Sequence, residues 1–207
     1  MSDELVFYTN PMSRGRIVRW MLEETGAPYR TEILDYATTL KAPAYLAINP
    51  MGKVPAITHR GQVVTECAAI CAYLADAFPG AGLAPPVQDR ARYYRWLFFA
   101  AGPIEAAVTN TALRIEVSVE QQRMVGYGTM DHVLDALEGA LDGRDYIASD
   151  TFTAADVYVG SQLGFGLQFK SIEPRPSFTA YSERLQQRPA YRRAVEIDDA
   201  ALAKAGA

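Results

Sequence analysis

Pro55, within the stretch "GKVPAITHRGQVVTECAAICAYL" from Gly52 to Leu74, constrains the fold more than any other residue, because it falls where the pattern otherwise reads as a strand. A proline has no N–H to give to a sheet ladder, so it must lie on an edge, begin a strand, or occupy a turn that uses its special backbone. An X-Pro bond can also be cis. A cis Val54–Pro55 bond would turn the chain sharply and face the N–H and C=O of Val54 outward, where an extended peptide could pair with them as another strand would. The alternative is an edge-strand start, which spacing alone favours. Beyond the proline, "VPAITHRGQVV" predicts two strands around a turn at His59, Arg60 and Gly61. A helix follows from Thr65 or Glu66, with Ile70, Tyr73, Leu74 and Phe78 along one face.

Ahead of this hairpin, "ELVFYT" (4–9) predicts a short strand and "YRTEIL" (29–34) a second. Between them "RIVRWMLEETG" places Ile17 with Met21 and Val18 with Leu22 at helical spacing, and Gly26 stops the helix. Strand, helix and strand of this length make a βαβ unit, whose two strands run parallel. A poorly periodic stretch broken by Pro43 and Pro50 leads on to the hairpin, so the first half reads β-α-β-α-β-β-α. From Phe78, "FPGAGLAPP" packs prolines and glycines together as a boundary, and everything beyond it reads as helix. The expected organisation is an α/β domain over 1–79, a linker over 80–86 and an all-α domain over 87–207. In "TFTAADVYVG", Thr153 and Asp156 have the spacing of a capping box, with Phe152 and Val157 as its hydrophobic staple, which is a device for folding.

Composition narrows the class. With 49% hydrophobic and 21% charged residues the chain has the mix of a soluble globular protein. A net charge of -4 gives no global attraction to nucleic acid or to an anionic membrane. The start "MSDELVFY" lacks the basic and apolar regions of a secretory signal, and no apolar run is long enough to span a bilayer, so the expected location is the cytoplasm. Cys67 and Cys71 are too few and too close for a disulfide framework, and with His59 and His132 they offer no recognisable zinc spacing, so no metal is expected.

Glu66 and Cys67 open the helix after the hairpin, where backbone N–H groups lack helical partners and the dipole favours an anion. A small carboxylate fits there. An acid beside that anion site makes sense if the ligand also carries an ammonium, which is the pattern of an α-amino acid head group. The plainer reading of Glu66 is an acid favourably placed near a helix N-terminus.

With these motifs in hand, "NPMGKVPAI" followed by "VVTECAAICAYL", then "FPGAGL" and "FTAADV", the chain resembles the cytosolic-type glutathione S-transferases, and the resemblance covers nearly its whole length. It implies a thioredoxin-like N-terminal domain with an all-α C-terminal domain, a cis Val54–Pro55 bond, and glutathione bound in the cleft between domains. It further implies that Val54 gives backbone hydrogen bonds to the cysteinyl part of glutathione, that Glu66 and Cys67 hold the γ-glutamyl head group, and that Lys53 lies near the glycine end. Residue 67 is usually Ser or Thr in this motif. The cysteine here keeps the backbone donor but offers a weaker side-chain donor, and a thiol at a helix start can also become acidic enough for a mixed disulfide.

A free thiol has a pKa of about 8.5, so a transferase must stabilise the glutathione thiolate with a nearby donor. The resemblance places that donor in "FYTNPMSRGR". Ser13, expected as a helix N-cap, is the first candidate, since "NPMSRGRIVRWMLEE" is similar to bacterial members with serine there. Tyr8 is the rival from the tyrosine-type classes, and Asn10, Arg14 and Arg16 are further candidates. The aromatic "WLFFAAG" and the "GFGLQF" stretch suggest an apolar electrophile as second substrate, although such stripes also serve as core. The expected activity is addition of the glutathione thiolate to small apolar electrophiles. Glutathione-dependent isomerisation, peroxide reduction and disulfide exchange are alternatives on the same site, and a non-catalytic carrier or a regulator resembling the stringent-starvation proteins is the alternative outside catalysis. The resemblance also implies a homodimer.

Overall fold

The computed structural model describes residues 3–205; the first two positions of "MSDELVFY" lie outside them. Among the described residues four short strands form one mixed sheet in the order β2-β1-β3-β4, with β1 at Val6–Thr9, β2 at Arg30–Ile33, β3 at Ala56–His59 and β4 at Gln62–Thr65. Strands β1 and β2 pair in parallel, as the βαβ reading requires, and α1 (Gly15–Thr25) is the crossover. Its Ile17, Val18, Met21 and Leu22 are all buried, and Gly26 ends it in the left-handed conformation that a residue without Cβ adopts at least cost. A short α2 (Pro43–Leu46), with its proline at the first turn, precedes β3.

The hairpin β3–β4 is antiparallel, with His59 paired to Gln62. His59 is therefore the last strand residue, and the turn is the two residues Arg60 and Gly61, at φ 52° and 75°. Positive φ at both central positions matches the right-handed twist of the flanking strands. Next comes α3 (Cys67–Ala77), which buries Ile70 and Leu74, while Tyr73 and Phe78 hold the His59 ring by a 3.0 Å hydrogen bond and a stacked contact. Phe7, Ile17, Met21, Ile57, Ile70 and Leu74 are essentially inaccessible, each contributing roughly 1.5–3 kcal/mol of hydrophobic stabilisation.

The second unit, Ala84–Gln187, is helical. It contains α4 (Ala91–Phe99), α5 (Glu105–Ala112), α6 (Met130–Leu141), α7 (Ala154–Gln168) and α8 (Pro176–Gln186). Between α4 and α5 the chain makes a wide π turn over Ala100–Ile104 around Pro103, which has no N–H to continue the ladder. Helix α7 is buried on nearly all sides, and the capping box at Thr153 and Asp156 starts it. Asp156 also accepts from the Ile147 N–H and the Tyr181 hydroxyl, both at 2.8 Å, so the box ties three segments together. Burial pushes this carboxyl above its ordinary range, while those donors pull the other way.

The last helix, α9 (Pro189–Ala205), falls in the stretch that the sequence predicts as part of a helical domain running to 207. The segment from Arg188 onward instead clusters with the first unit, which otherwise ends at Leu83. The reason is a set of polar contacts onto α1. Arg19, which periodicity places among polar positions, is only 2% exposed and reaches Asp198 at 3.2 Å; Glu24 holds Arg188 through two hydrogen bonds at 2.6 and 2.8 Å. Trp20 meets the Tyr191 ring edge to face.

Candidate functional site

One row of the sheet explains why distant sequence segments converge. Tyr8 of β1 pairs with Ala56 of β3, and Ala56 pairs with Thr65 of β4. The chain leaves β1 just past Tyr8, enters β3 just before Ala56 and leaves β4 at Thr65. The loop carrying Asn10 to Arg14, the Lys53–Val54–Pro55 segment and the Glu66–Cys67 helix start therefore emerge at one end of the sheet. A hydrogen bond from the Cys67 thiol to the Arg14 carbonyl, at 3.7 Å, sets the start of α3 against the start of α1.

The Val54–Pro55 bond is cis, and Pro55 is buried immediately ahead of β3, so the proline begins the strand and takes no place in its ladder. Val54 is partly buried beside the cluster of Leu40, Tyr45 and Ala56. The approach to it is built by residues outside the motifs above. The Tyr45 hydroxyl and the Asn49 amide both donate to the Lys53 carbonyl, and Lys41 Nζ donates to the Gly52 carbonyl at 2.8 Å. These bonds fix the backbone entering Val54, while the Lys53 side chain stays exposed. Burial pushes the Tyr45 phenol up to about 12, so it remains a protonated donor at neutral pH. The i, i+4 spacing of Tyr45 and Asn49, just after a proline that can open a helix, was the available signal.

Glu66 occupies the N-cap position of α3 with φ 66° and ψ 123°, and its side chain does not cap the helix. Its carbonyl accepts from the Ile70 N–H at 2.8 Å, so the helix ladder begins there. A non-glycine residue at positive φ costs on the order of 1–3 kcal/mol and persists only where the surroundings enforce it. The carboxylate is exposed, and Cys67 next to it is 7% exposed. Cys71, one turn on, is inaccessible, and burial raises its thiol well above the ordinary value.

Ser13 lies one residue before its expected place: Arg14 takes the N-cap position of α1 and makes no side-chain cap, while Ser13 Oγ accepts from the Gly15 N–H at 2.9 Å. The same hydroxyl donates to the Asn10 carbonyl at 2.6 Å. Gly15 is required here, since a Cβ would fall 1.9 Å from Thr9 Oγ1. Asn10 spends its amide on the Leu34 carbonyl, at 2.9 Å, and Arg16 its guanidinium on Pro11 and Asp199, so both are engaged in holding the loop. The Tyr8 ring lies 5.7 Å from that of Tyr45, against the apolar cluster by α2. No group of three or more His, Cys, Asp or Glu residues able to hold a metal occurs among the described residues, and no helix among them is long and apolar enough to cross a membrane.

This end of the sheet thus combines a peptide segment ending in a cis proline, a helix start beside an exposed carboxylate, and a serine hydroxyl. Comparison with known proteins finds the same arrangement of domains. Residues 12–77 match the glutathione S-transferase N-terminal domain and 98–189 the glutathione S-transferase C-terminal domain. The chain is 30% identical over 164 residues to the glutathione S-transferase GstA of Escherichia coli O157:H7, covering 77% of this chain and 78% of that one. Among solved structures, a sphingomonad glutathione S-transferase complexed with glutathione is 32% identical with a TM-score of 0.76, covering 94% of this chain and 98% of that one. A glutathione transferase from Methylococcus capsulatus str. bath is 30% identical with a TM-score of 0.78 over the same shares. With both domain families matched in order and the N-terminal match spanning Ser13 to Cys67, the chain belongs to the glutathione S-transferase family.

Proposed function

We propose that the protein is a glutathione transferase whose Ser13 stabilises the thiolate of bound glutathione for attack on an apolar electrophile. The observation that carries this reading is the convergence of the Asn10–Arg14 loop, the cis Val54–Pro55 segment and the Glu66–Cys67 helix start at one end of the sheet. Glutathione is an extended peptide with an α-amino acid head group, and each part has a counterpart here. The Val54 backbone pairs with the cysteinyl residue as a strand would. Glu66 takes the γ-glutamyl ammonium, and the start of α3 at Cys67 takes its carboxylate. Lys53 faces the glycine carboxylate. Ser13 then donates to the sulfur, favouring its ionised form.

The thiolate attacks the electrophile, forming the carbon–sulfur bond as the leaving group departs or as an activated double bond takes up the electron pair and a proton. The helical unit exposes Phe98 and Tyr94, at i, i+4 on α4, which supports an apolar second substrate. We further propose that the protein works as a cytoplasmic homodimer, on the family resemblance alone. Calorimetric titration with glutathione tests the binding half. Unmodified protein is expected to bind it and Glu66→Gln to bind at least about tenfold more weakly; equal affinity for the two would overturn the assignment of Glu66.

A further inference from the structure

Arg16 is tied at two places along its guanidinium. Nε donates to the Pro11 carbonyl at 2.7 Å and Nη2 to the Asp199 carboxylate at 2.6 Å. Pro11 is buried in the middle of the loop that carries Ser13. In the same loop Asn10 Oδ1 accepts from the Met12 N–H at 2.9 Å, the Asn10 carbonyl accepts from both the N–H and the hydroxyl of Ser13, the Asn10 amide reaches Leu34, and the Arg14 carbonyl accepts from the Cys67 thiol. Arg16 links the loop to α9, which the chain supplies from its far end.

Helix α9 is a fixed anchor, because the buried Arg19–Asp198 pair, the two-bonded Glu24–Arg188 pair and the Trp20–Tyr191 ring contact hold it on α1 without help from Arg16. The Arg16 and Asp199 side chains are 24% and 58% exposed. An ion pair so open to solvent contributes little to stability. Its geometric consequence is larger, since a carbonyl two residues from the thiolate donor is pinned between two helices.

We infer, resting on the assignment of Ser13 above, that Arg16 is a positioning residue which clamps the Pro11 carbonyl to α9 and so fixes where the Ser13 hydroxyl meets the glutathione sulfur. The planar fork, which lysine lacks, matters as well as the charge, because one nitrogen must serve the carbonyl while another serves Asp199. The C-terminal helix thereby becomes part of the thiol-activating apparatus without touching glutathione.

The test uses Arg16→Met, Arg16→Lys and Asp199→Asn, each alone and with Ser13→Ala, read by ionisation of bound glutathione, by kcat and KM separately, and by hydrogen exchange at residues 12 and 13. Arg16→Met is expected to shift ionisation to higher pH and lower kcat about tenfold. Glutathione affinity stays within about threefold, and exchange at residues 12 and 13 accelerates. Asp199→Asn, which perturbs the exposed end, moves the same readouts less and serves if Arg16→Met folds poorly. Arg16→Lys does not restore activity, and in the Ser13→Ala background Arg16→Met costs less than about a further twofold. Rescue by lysine, an undiminished loss in the Ser13→Ala background, or faster exchange with unchanged ionisation overturns the inference. If Ser13→Ala itself leaves ionisation unchanged, the assignment of Ser13 falls and this inference with it; loss in Ser13→Ala but none in Arg16→Met or Asp199→Asn overturns the inference alone.

Discussion

The Ser13 hydroxyl donates to the Asn10 carbonyl at 2.6 Å while accepting from the Gly15 N–H at 2.9 Å. A hydroxyl carries one proton, so donation to a thiolate requires that proton to leave the Asn10 carbonyl while the oxygen keeps its bond from Gly15. The proposed activation is then an exchange of acceptors at a fixed oxygen. Ser13→Ala should lower kcat roughly 10- to 1,000-fold, the range for loss of one donor to a developing anion, with KM for glutathione changed only a few-fold. Steady-state kinetics across pH checks this, and near-normal turnover would move the role to another donor.

Glu66 combines a strained backbone with a proposed ligand contact, and the two separate by mutation. Glu66→Gly relieves the Cβ clash at φ 66° and should raise stability by about 1 kcal/mol while weakening glutathione binding. Thermal unfolding and calorimetric titration on the same sample check both signs. A variant less stable than the parent would show that Glu66 holds the helix start by contacts other than its backbone.

Tyr45 and Asn49 both donate to the Lys53 carbonyl, and under the proposed binding mode that is their one route to glutathione. Tyr45→Phe removes a donor from a partly buried acceptor and should cost about 1 kcal/mol of stability. Glutathione affinity should fall with it, and kcat at saturation should hold. A normal affinity in Tyr45→Phe combined with Asn49→Ala would show that the Val54 segment keeps its place without them.

His59 predicts the acid limb of stability. Burial lowers its pKa below the ordinary imidazole value, Arg60 adds to that, and Asp3 opposes it. The unfolded chain therefore takes up the proton at a higher pH than the folded one. As pH falls through about 6.5 toward the lower folded value, the unfolded state binds more protons and stability declines. Denaturant unfolding between pH 7 and 5 should show this slope, and His59→Gln, which keeps a polar group facing the Tyr73 hydroxyl, should flatten it. An unchanged slope would assign the acid sensitivity elsewhere.

Much of the site was legible in the sequence because it is written in local chemistry. Pro55 cannot serve a ladder, a hairpin turns within His59–Gly61, and a helix opens at Thr65 or Glu66; each follows from backbone rules over a few residues, although His59 proves to be a strand residue. What was not legible depends on long-range partners. Arg19 lies in a helix whose apolar stripe is carried by its neighbours, and nothing local shows that Asp198 buries it. The assignment of α9 to the helical half failed to anticipate its packing on α1 for the same reason. Tyr45 and Asn49 sit in a stretch too short and proline-broken for periodicity to single out, and the π turn at Pro103 replaces what reads as continuous helix.

The most direct test of the account is the thiolate absorbance of glutathione bound to the protein, titrated against pH. Bound glutathione is expected to ionise well below the free thiol value of about 8.5, with the value shifted back toward it in Ser13→Ala. Bound glutathione that ionises as it does in water, or no binding at all, would contradict it.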